Sequence, residues 1–254
     1  MRRLTAAETL LLSLGVDDPK EIDLEAIAWC LGAEVRYAPL ESCEARIIGF
    51  GGRAIITVDN RHRPTRIRFS IGHELGHWHF HRGKSSICRS DEIGSQARSL
   101  THPERVADAF AADLLMPPYL FEPAAQKLKR STFATVDALA SLFRTSRSAT
   151  ALRVVDFGPE PSILICHGVA GRKWFKRGPD VPDRWFPRDE LDAQSNAFEA
   201  LHGNVDRPQP MLIGADAWFD RRGAEDHEVY EHTVRTPSGE VLTLLTFKGL
   251  GMLS

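Results

Sequence analysis

One stretch limits what this chain can become: Phe69-Ser70-Ile71-Gly72-His73-Glu74-Leu75-Gly76-His77-Trp78. It carries the pattern H-E-x-x-H. On a helix, positions i and i+4 share a face about one turn apart. His73 and His77 can therefore aim two imidazoles at a single ion. Glu74 stands one step round the helix, where its carboxylate reaches a water held beside that ion. Two neutral nitrogen ligands, an open coordination position and a general base are what a zinc hydrolase needs. Ile67, Ile71, Leu75 and Trp78 recur at helical spacing. They supply the buried face of a helix from about Thr65 to His81, ended by Gly83. The rest of the sequence has to supply a third ligand and a fold.

Two histidines do not hold a catalytic zinc; three protein ligands are usual. One class takes a third histidine from H-E-x-x-H-x-x-G-x-x-H, but Phe80 and Gly83 stand at its glycine and histidine positions. His81 extends the series, yet eight residues separate it from His73, about 12 Å of helix rise. His79 faces elsewhere. The remaining class takes a glutamate from a following helix. Glu104-Arg105-Val106-Ala107-Asp108 fits that class, with Glu104 and Asp108 at i and i+4 on the polar edge of an apolar helix. In this reading Glu104 is a ligand, and Asp108 accepts the free N–H of a ligand histidine. Thr101-His102-Pro103-Glu104 also spells a capping box, in which Glu104 serves the helix end instead. Asp113 competes for the ligand role. The expected ion is zinc, one per chain; Mn2+ or another divalent metal suits the same donors.

Around this core the chain predicts an α+β protein. Residues 5–14 and 23–31 read as helices, and Cys30 falls on the apolar face of the second. Residues 34–38 read as a strand. Residues 46–50 and 53–58 flank Gly51-Gly52 as a hairpin, so a small antiparallel sheet is expected. Lys84 to Thr101 is polar and reads as a loop or a loop with one turn of helix. A helix starts near Pro103 and is closed by Pro117-Pro118. Residues 132–155 give two helices broken near Arg144-Thr145-Ser146. Gly158-Pro159-Glu160-Pro161 marks a boundary, followed by hairpins around 168–171 and 237–239 and a helical turn at 194–202. The expected domains are 1–130 for the metal site, 131–158 as a helix-turn-helix-like segment packed on it, and 159–254 as a small α+β domain with a sensory or substrate-docking role.

Composition places this fold in a setting. With 43 % hydrophobic and 26 % charged residues over 254 positions, the chain can bury a real core. A formal charge of −2 argues against a polyanion binder. Four dispersed cysteines without a C-x-x-C pair read as free thiols of a reducing compartment. Neither a leader nor a run of about 20 apolar residues is seen, so a cytoplasmic protein is expected.

His73-Glu74-Leu75-Gly76-His77, followed by Glu104-Arg105-Val106-Ala107-Asp108-Ala109-Phe110-Ala111-Ala112-Asp113-Leu114-Leu115-Met116-Pro117, resembles the ImmA/IrrE family of metallopeptidases. Arg53 to Asp59 and Ile22 to Ala28 share the likeness, which covers roughly residues 20–155. The family commonly has Asn where this chain has Asp108. The resemblance implies a thermolysin-like zinc peptidase. It also implies a substrate, a helix-turn-helix transcriptional repressor cut in a stress- or phage-related switch. The other function class is a non-catalytic DNA- or protein-binding regulator that keeps a metal site; the intact Glu74 argues against it.

Several residues stay as open candidates. Tyr37, His79, His102 and Tyr119 are the candidate oxyanion donors. Cys88 lies between the two motifs, where a thiolate can block a zinc. Residues 135–153 resemble a helix-turn-helix bearing Arg147 and Arg153, so direct DNA binding stands beside simple packing on the core. Arg61 to Arg68 is a basic run, either steering an acidic segment or forming a solvated face. Trp174-Phe175, Trp185-Phe186 and Trp218-Phe219 read as core pairs of the last domain.

Overall fold

The computed structural model describes residues 2–80, 86–88, 102–203, 209–247 and 250–253, with only the backbone of 86–88, 102 and 250. Thr5 caps the first helix, α1 (Ala6–Ser13), in a capping box with Glu8. Asp23 caps α2 (Leu24–Cys30) through the N–H groups of Glu25 and Ala26. Three strands follow: β1 (Ala33–Tyr37), β2 (Ala45–Phe50) and β3 (Arg53–Val58). Gly51 and Gly52 turn the β2–β3 hairpin with φ of 58° and 82°, which a two-residue primed turn requires. The motif helix is α3 (Pro64–Phe80). Then come β4 (Ser86–Cys88), α4 (His102–Leu115), α5 (Pro118–Gln126), α6 (Phe133–Phe143) and α7 (Arg147–Phe157). The remaining strands are β5 (Ser162–Gly168), β6 (Gly171–Arg177), β7 (Met211–Gly214), β8 (Glu228–Arg235) and β9 (Val241–Phe247).

The chain divides into two compact units: Met1–Phe121 with Ala140–Ser146, and Glu122–Leu139 with Arg147–Ser254. In the first, a four-stranded sheet has the order β1-β3-β2-β4. The α+β layout is the expected one, but β1 runs parallel to β3 rather than extending an antiparallel meander. The loop 38–44 explains it. Tyr37 and Ala45 both pair with Val58, so the loop carries the chain across the end of β3 and sets β2 on its far side. Helix α3 packs on β2 and β3 and against α4, and α1 packs on α4. Leu11, Ile22, Ile47, Ile56, Ile71, Leu75, Phe110 and Leu114 are buried in this unit.

The second unit is an antiparallel sheet of order β6-β5-β9-β8-β7. Its central strands β5 and β9 are buried along their whole length. The edge strand β6 carries Arg172, Lys173, Lys176 and Arg177, charges that blunt a sheet edge. Trp185, Trp218 and Phe219 join the core of this unit, while Phe186 is exposed.

Two local expectations are corrected and two elements are added. Residues 86–88 form a strand, not part of a loop; the rest of 84–101 lies outside the described residues. Pro117-Pro118 closes α4 as expected, and Pro118 also opens an added helix, α5, because proline at a first helical position gives up an N–H with no partner in any case. The short β7 has only four residues, too few for alternation to announce. Cys30 is exposed, on the outer side of α2, while Leu24, Ile27 and Ala28 fill the buried side. Among the described residues no helix is long and apolar enough to cross a membrane.

Candidate metal centre

The C-terminal half of α3 is buried on every side: Ser70 to Trp78 are all inside. Helices that are this polar are rarely buried all round, so the charges at its centre need partners. They come from α4. The two helices touch through small residues spaced by four, Gly72 and Gly76 on α3, Ala107 and Ala111 on α4. A Cβ on Gly76 would sit 2.9 Å from Ala107 Cα and 3.1 Å from its carbonyl oxygen. Only glycine lets the backbone of α4 come that near. The same approach places Glu104 and Asp108, one turn apart on α4, beside His73 and His77, one turn apart on α3. These small residues set how near the two helices come, which charge spacing and apolar faces alone do not indicate. Their signal in the sequence is G-x-x-x-G inside the histidine motif and A-x-x-x-A inside the glutamate motif.

The imidazoles of His73 and His77 meet edge to face, with ring centres 4.7 Å apart. Their Nε2 atoms are 3.0 Å apart. Glu104 Oε2 lies 3.2 Å from the first and 3.3 Å from the second. Among the described residues this is the group of three or more His, Cys, Asp or Glu side chains whose donor atoms converge. Asp113 is outside it. His73 Nδ1 stands 2.8 Å from Asp108 Oδ1. The carboxylate accepts its N–H, which leaves Nε2 of the neutral ring as a lone pair aimed at the other two donors. Burial opposes a charge on His73, but the Asp108 hydrogen bond and the Glu74, Asp108 and Glu104 carboxylates together hold its pKa above the ordinary imidazole value.

Three donors converging to about 3 Å fit one ion. Ligands of a tetrahedral zinc with bonds of about 2.0–2.1 Å are separated by about 3.3–3.4 Å. The triangle at 3.0, 3.2 and 3.3 Å is close to one face of that tetrahedron. Two imidazoles and a carboxylate are borderline donors that also accept other divalent metals. Glu74 is fully buried, and its charge is felt by both His73 and Cys43.

The other candidates lie as follows. Tyr37 is half exposed, and its hydroxyl donates to Glu25 at 2.6 Å; burial and that bond push the phenol up to about 12. Tyr119 donates its hydroxyl to the Val16 carbonyl at 2.6 Å. The His79 ring stacks on Phe110, centres 5.1 Å apart. The side chains of His102 and Cys88 lie outside the described residues, as does His81. The basic run is largely tied down: Arg61 pairs with Asp59 at 2.6 Å and Arg66 with Glu44 at 2.5 Å. In the helix-turn-helix-like segment, Arg144 turns the chain with a φ of 54°. Arg147 pairs with Asp137 at 2.6 Å, and Arg153 lies over the Phe157 ring.

Comparison with known proteins bears on this site. The model of the IrrE N-terminal-like domain, a peptidase family, matches residues 28–155, half of the chain, a span that includes His73, His77 and Glu104 together with Asp108. No curated protein sequence matches the chain. Among solved structures, a Mycobacterium tuberculosis transcriptional regulator is similar, with a TM-score of 0.61 at 14 % identity. The likeness covers 95 % of this chain and 74 % of that one; at such identity it speaks for the fold alone.

Proposed function

The chain belongs to the IrrE N-terminal-like family of peptidases, and on that premise we propose that it is a metal-dependent endopeptidase that cuts a regulatory protein. The observation that carries the reading is the convergence of His73, His77 and Glu104, with Asp108 behind His73. Zinc suits these donors, and when bound it supplies Lewis acidity, polarising a carbonyl and lowering the pKa of water toward 7. The protein's own groups do the rest. Asp108 keeps the proton on Nδ1 of His73, so that Nε2 stays a donor of electrons. Glu104 contributes a negative charge that two neutral imidazoles lack. Glu74 takes a proton from the attacking water on a carboxylate oxygen and hands it to the leaving amine nitrogen. Burial of Glu74 shields that transfer from bulk water.

The substrate class rests on the family resemblance: a helix-turn-helix repressor, cut in a cytoplasmic stress- or phage-related switch. The experiment is to incubate helix-turn-helix regulators encoded near the gene with wild type and with Glu74→Gln, both loaded with zinc. Cleavage at one or a few sites by wild type alone is the expected result. Equal cutting by Glu74→Gln refutes the assigned base. Tight binding of a regulator without cutting, by zinc-loaded wild type, makes the chain a binding regulator instead.

A further inference from the structure

The sheet of the first unit has two faces. One, with Ala33, Ile47, Ile56 and Val58, is buried and packs toward α3. On the other, the register sets Ile48 beside Ile55 and Phe50 beside Arg53, with Glu34 next to Ile55. This outer face sets an apolar cluster, Ile48, Phe50 and Ile55, among Glu34, Arg36, Arg46, Arg53 and Thr57, where strands normally turn polar residues to water. Phe50 is 90 % exposed, Trp29 on the neighbouring helix 74 % and Ile48 56 %. Together they line a groove of 600 Å³. Exposed apolar side chains scattered singly mean little, but a cluster with a charged rim marks an interaction site.

The lining chooses the kind of occupant. It includes no hydroxyl or amide side chain, the groups that fix a small polar ligand. Its charge is asymmetric. Glu34 is neutralised by Arg36 through two hydrogen bonds of 2.9 and 3.2 Å. Arg53 in the groove and Arg46, two residues before Ile48 on the same face of β2, form no ion pair among the described residues. Two guanidiniums beside an apolar floor are too few for the basic track of a single-stranded nucleic-acid groove. They suit a peptide segment whose carboxylates flank large apolar side chains, since arginine holds carboxylates in a fork.

We propose that this outer sheet face is a docking surface for an acidic, apolar segment of a partner protein. Trp29, Ile48 and Phe50 receive the apolar anchors, and Arg46 and Arg53 hold the carboxylates. The inference is independent of hydrolysis, because the face lies on the far side of the sheet from α3. It is tested on the full chain carrying Glu74→Gln, so that cutting cannot obscure binding. A displayed library of random peptides is selected on this protein and counter-selected on the same protein with Trp29→Ser and Phe50→Ser. Both positions are surface positions, and circular dichroism checks that the fold is kept. The expected survivors combine aromatic or leucine residues with Asp and Glu. Their affinity should fall about tenfold or more in an Arg46→Glu, Arg53→Glu variant, as truncation of anchoring contacts typically does. Survivors rich in Lys and Arg, or no survivors at all, overturn the proposal. So does an oligothymidylate that binds wild type and is lost with Trp29 and Phe50. A dimer in sedimentation that the double serine variant dissociates overturns it too, by making the face a contact between copies.

Discussion

Gly76→Ala probes the packing that assembles the candidate metal centre. The added Cβ would lie 2.9 Å from Ala107 Cα, 3.1 Å from its oxygen and 3.3 Å from its Cβ. Unstrained carbon contacts lie at about 3.5–4.0 Å, so α4 has to withdraw by roughly 0.6–1 Å. Backbone on both sides leaves no flexible side chain to yield. Such overpacking costs about 1–3 kcal/mol, against which alanine in a helix interior recovers about 1 kcal/mol over glycine. The net expectation is a loss of up to about 2 kcal/mol. The larger effect falls on the ion, because the same retreat carries Glu104 and Asp108 away from His73 and His77. Zinc affinity, read by competition with a chromophoric chelator, should fall by at least about tenfold, the scale seen when groups supporting metal ligands are disturbed. Gly72→Ala is the control. Its Cβ meets Ala111 at 3.3 and 3.4 Å, a shortfall of only about 0.1–0.2 Å, so zinc affinity should change little and stability should keep most of the gain of about 1 kcal/mol of alanine over glycine. Denaturant unfolding of the metal-free proteins separates the two effects. A Gly76→Ala protein that is stabilised by the full helix-propensity gain and binds zinc like wild type would refute the argument.

Other perturbations act on single interactions. Asp108→Ala removes the acceptor from His73 Nδ1 and should weaken zinc binding by about 10–100-fold, whereas Asp108→Asn keeps an acceptor oxygen and should lose less; the same chelator competition measures both. Glu8 is buried against Arg2, the Thr5 N–H and the Tyr119 N–H. Burial opposes its charge, but the Arg2 and backbone hydrogen bonds outweigh it and hold its pKa below the ordinary carboxylate value. A depressed folded pKa gives stability that is present above the unfolded value, about 4.3, and is lost as pH falls through the folded one. Unfolding of the wild type followed from pH 6 downward should therefore steepen below about pH 4, and Glu8→Gln should flatten that slope while lowering stability at neutral pH.

Much of this site could be read from the residues because helical periodicity is strict. His73 and His77, and separately Glu104 and Asp108, are each one turn apart, and that spacing alone sets two pairs on two helix faces. What spacing within a helix cannot tell is how closely two helices approach, and there Gly72, Gly76, Ala107 and Ala111 decide the matter. The sheet was half legible. The Gly51-Gly52 hairpin announces itself locally, but the parallel pairing of β1 with β3 depends on the path of loop 38–44, which no local pattern encodes. Helix α5 was hidden because Pro117-Pro118 serves as a stop for one helix and a start for the next. Cys30 turns to solvent because, at 3.6 residues per turn, it lies about 110° round the axis from the centre of the face made by Leu24, Ile27 and Ala28. Exposed Trp29 and Phe50 gave no warning in the sequence, since aromatic residues beside strands usually signal core.

The central claim is that α3 and α4 hold one catalytic-type zinc through His73, His77 and Glu104. X-ray absorption at the zinc edge on the zinc-loaded full chain tests it most directly. The account predicts one zinc per chain in a shell of nitrogen and oxygen at about 2.0–2.1 Å with no sulfur, and loss of tight binding in Glu104→Ala. A shell containing sulfur at about 2.3 Å, or undiminished binding after loss of Glu104, would contradict it.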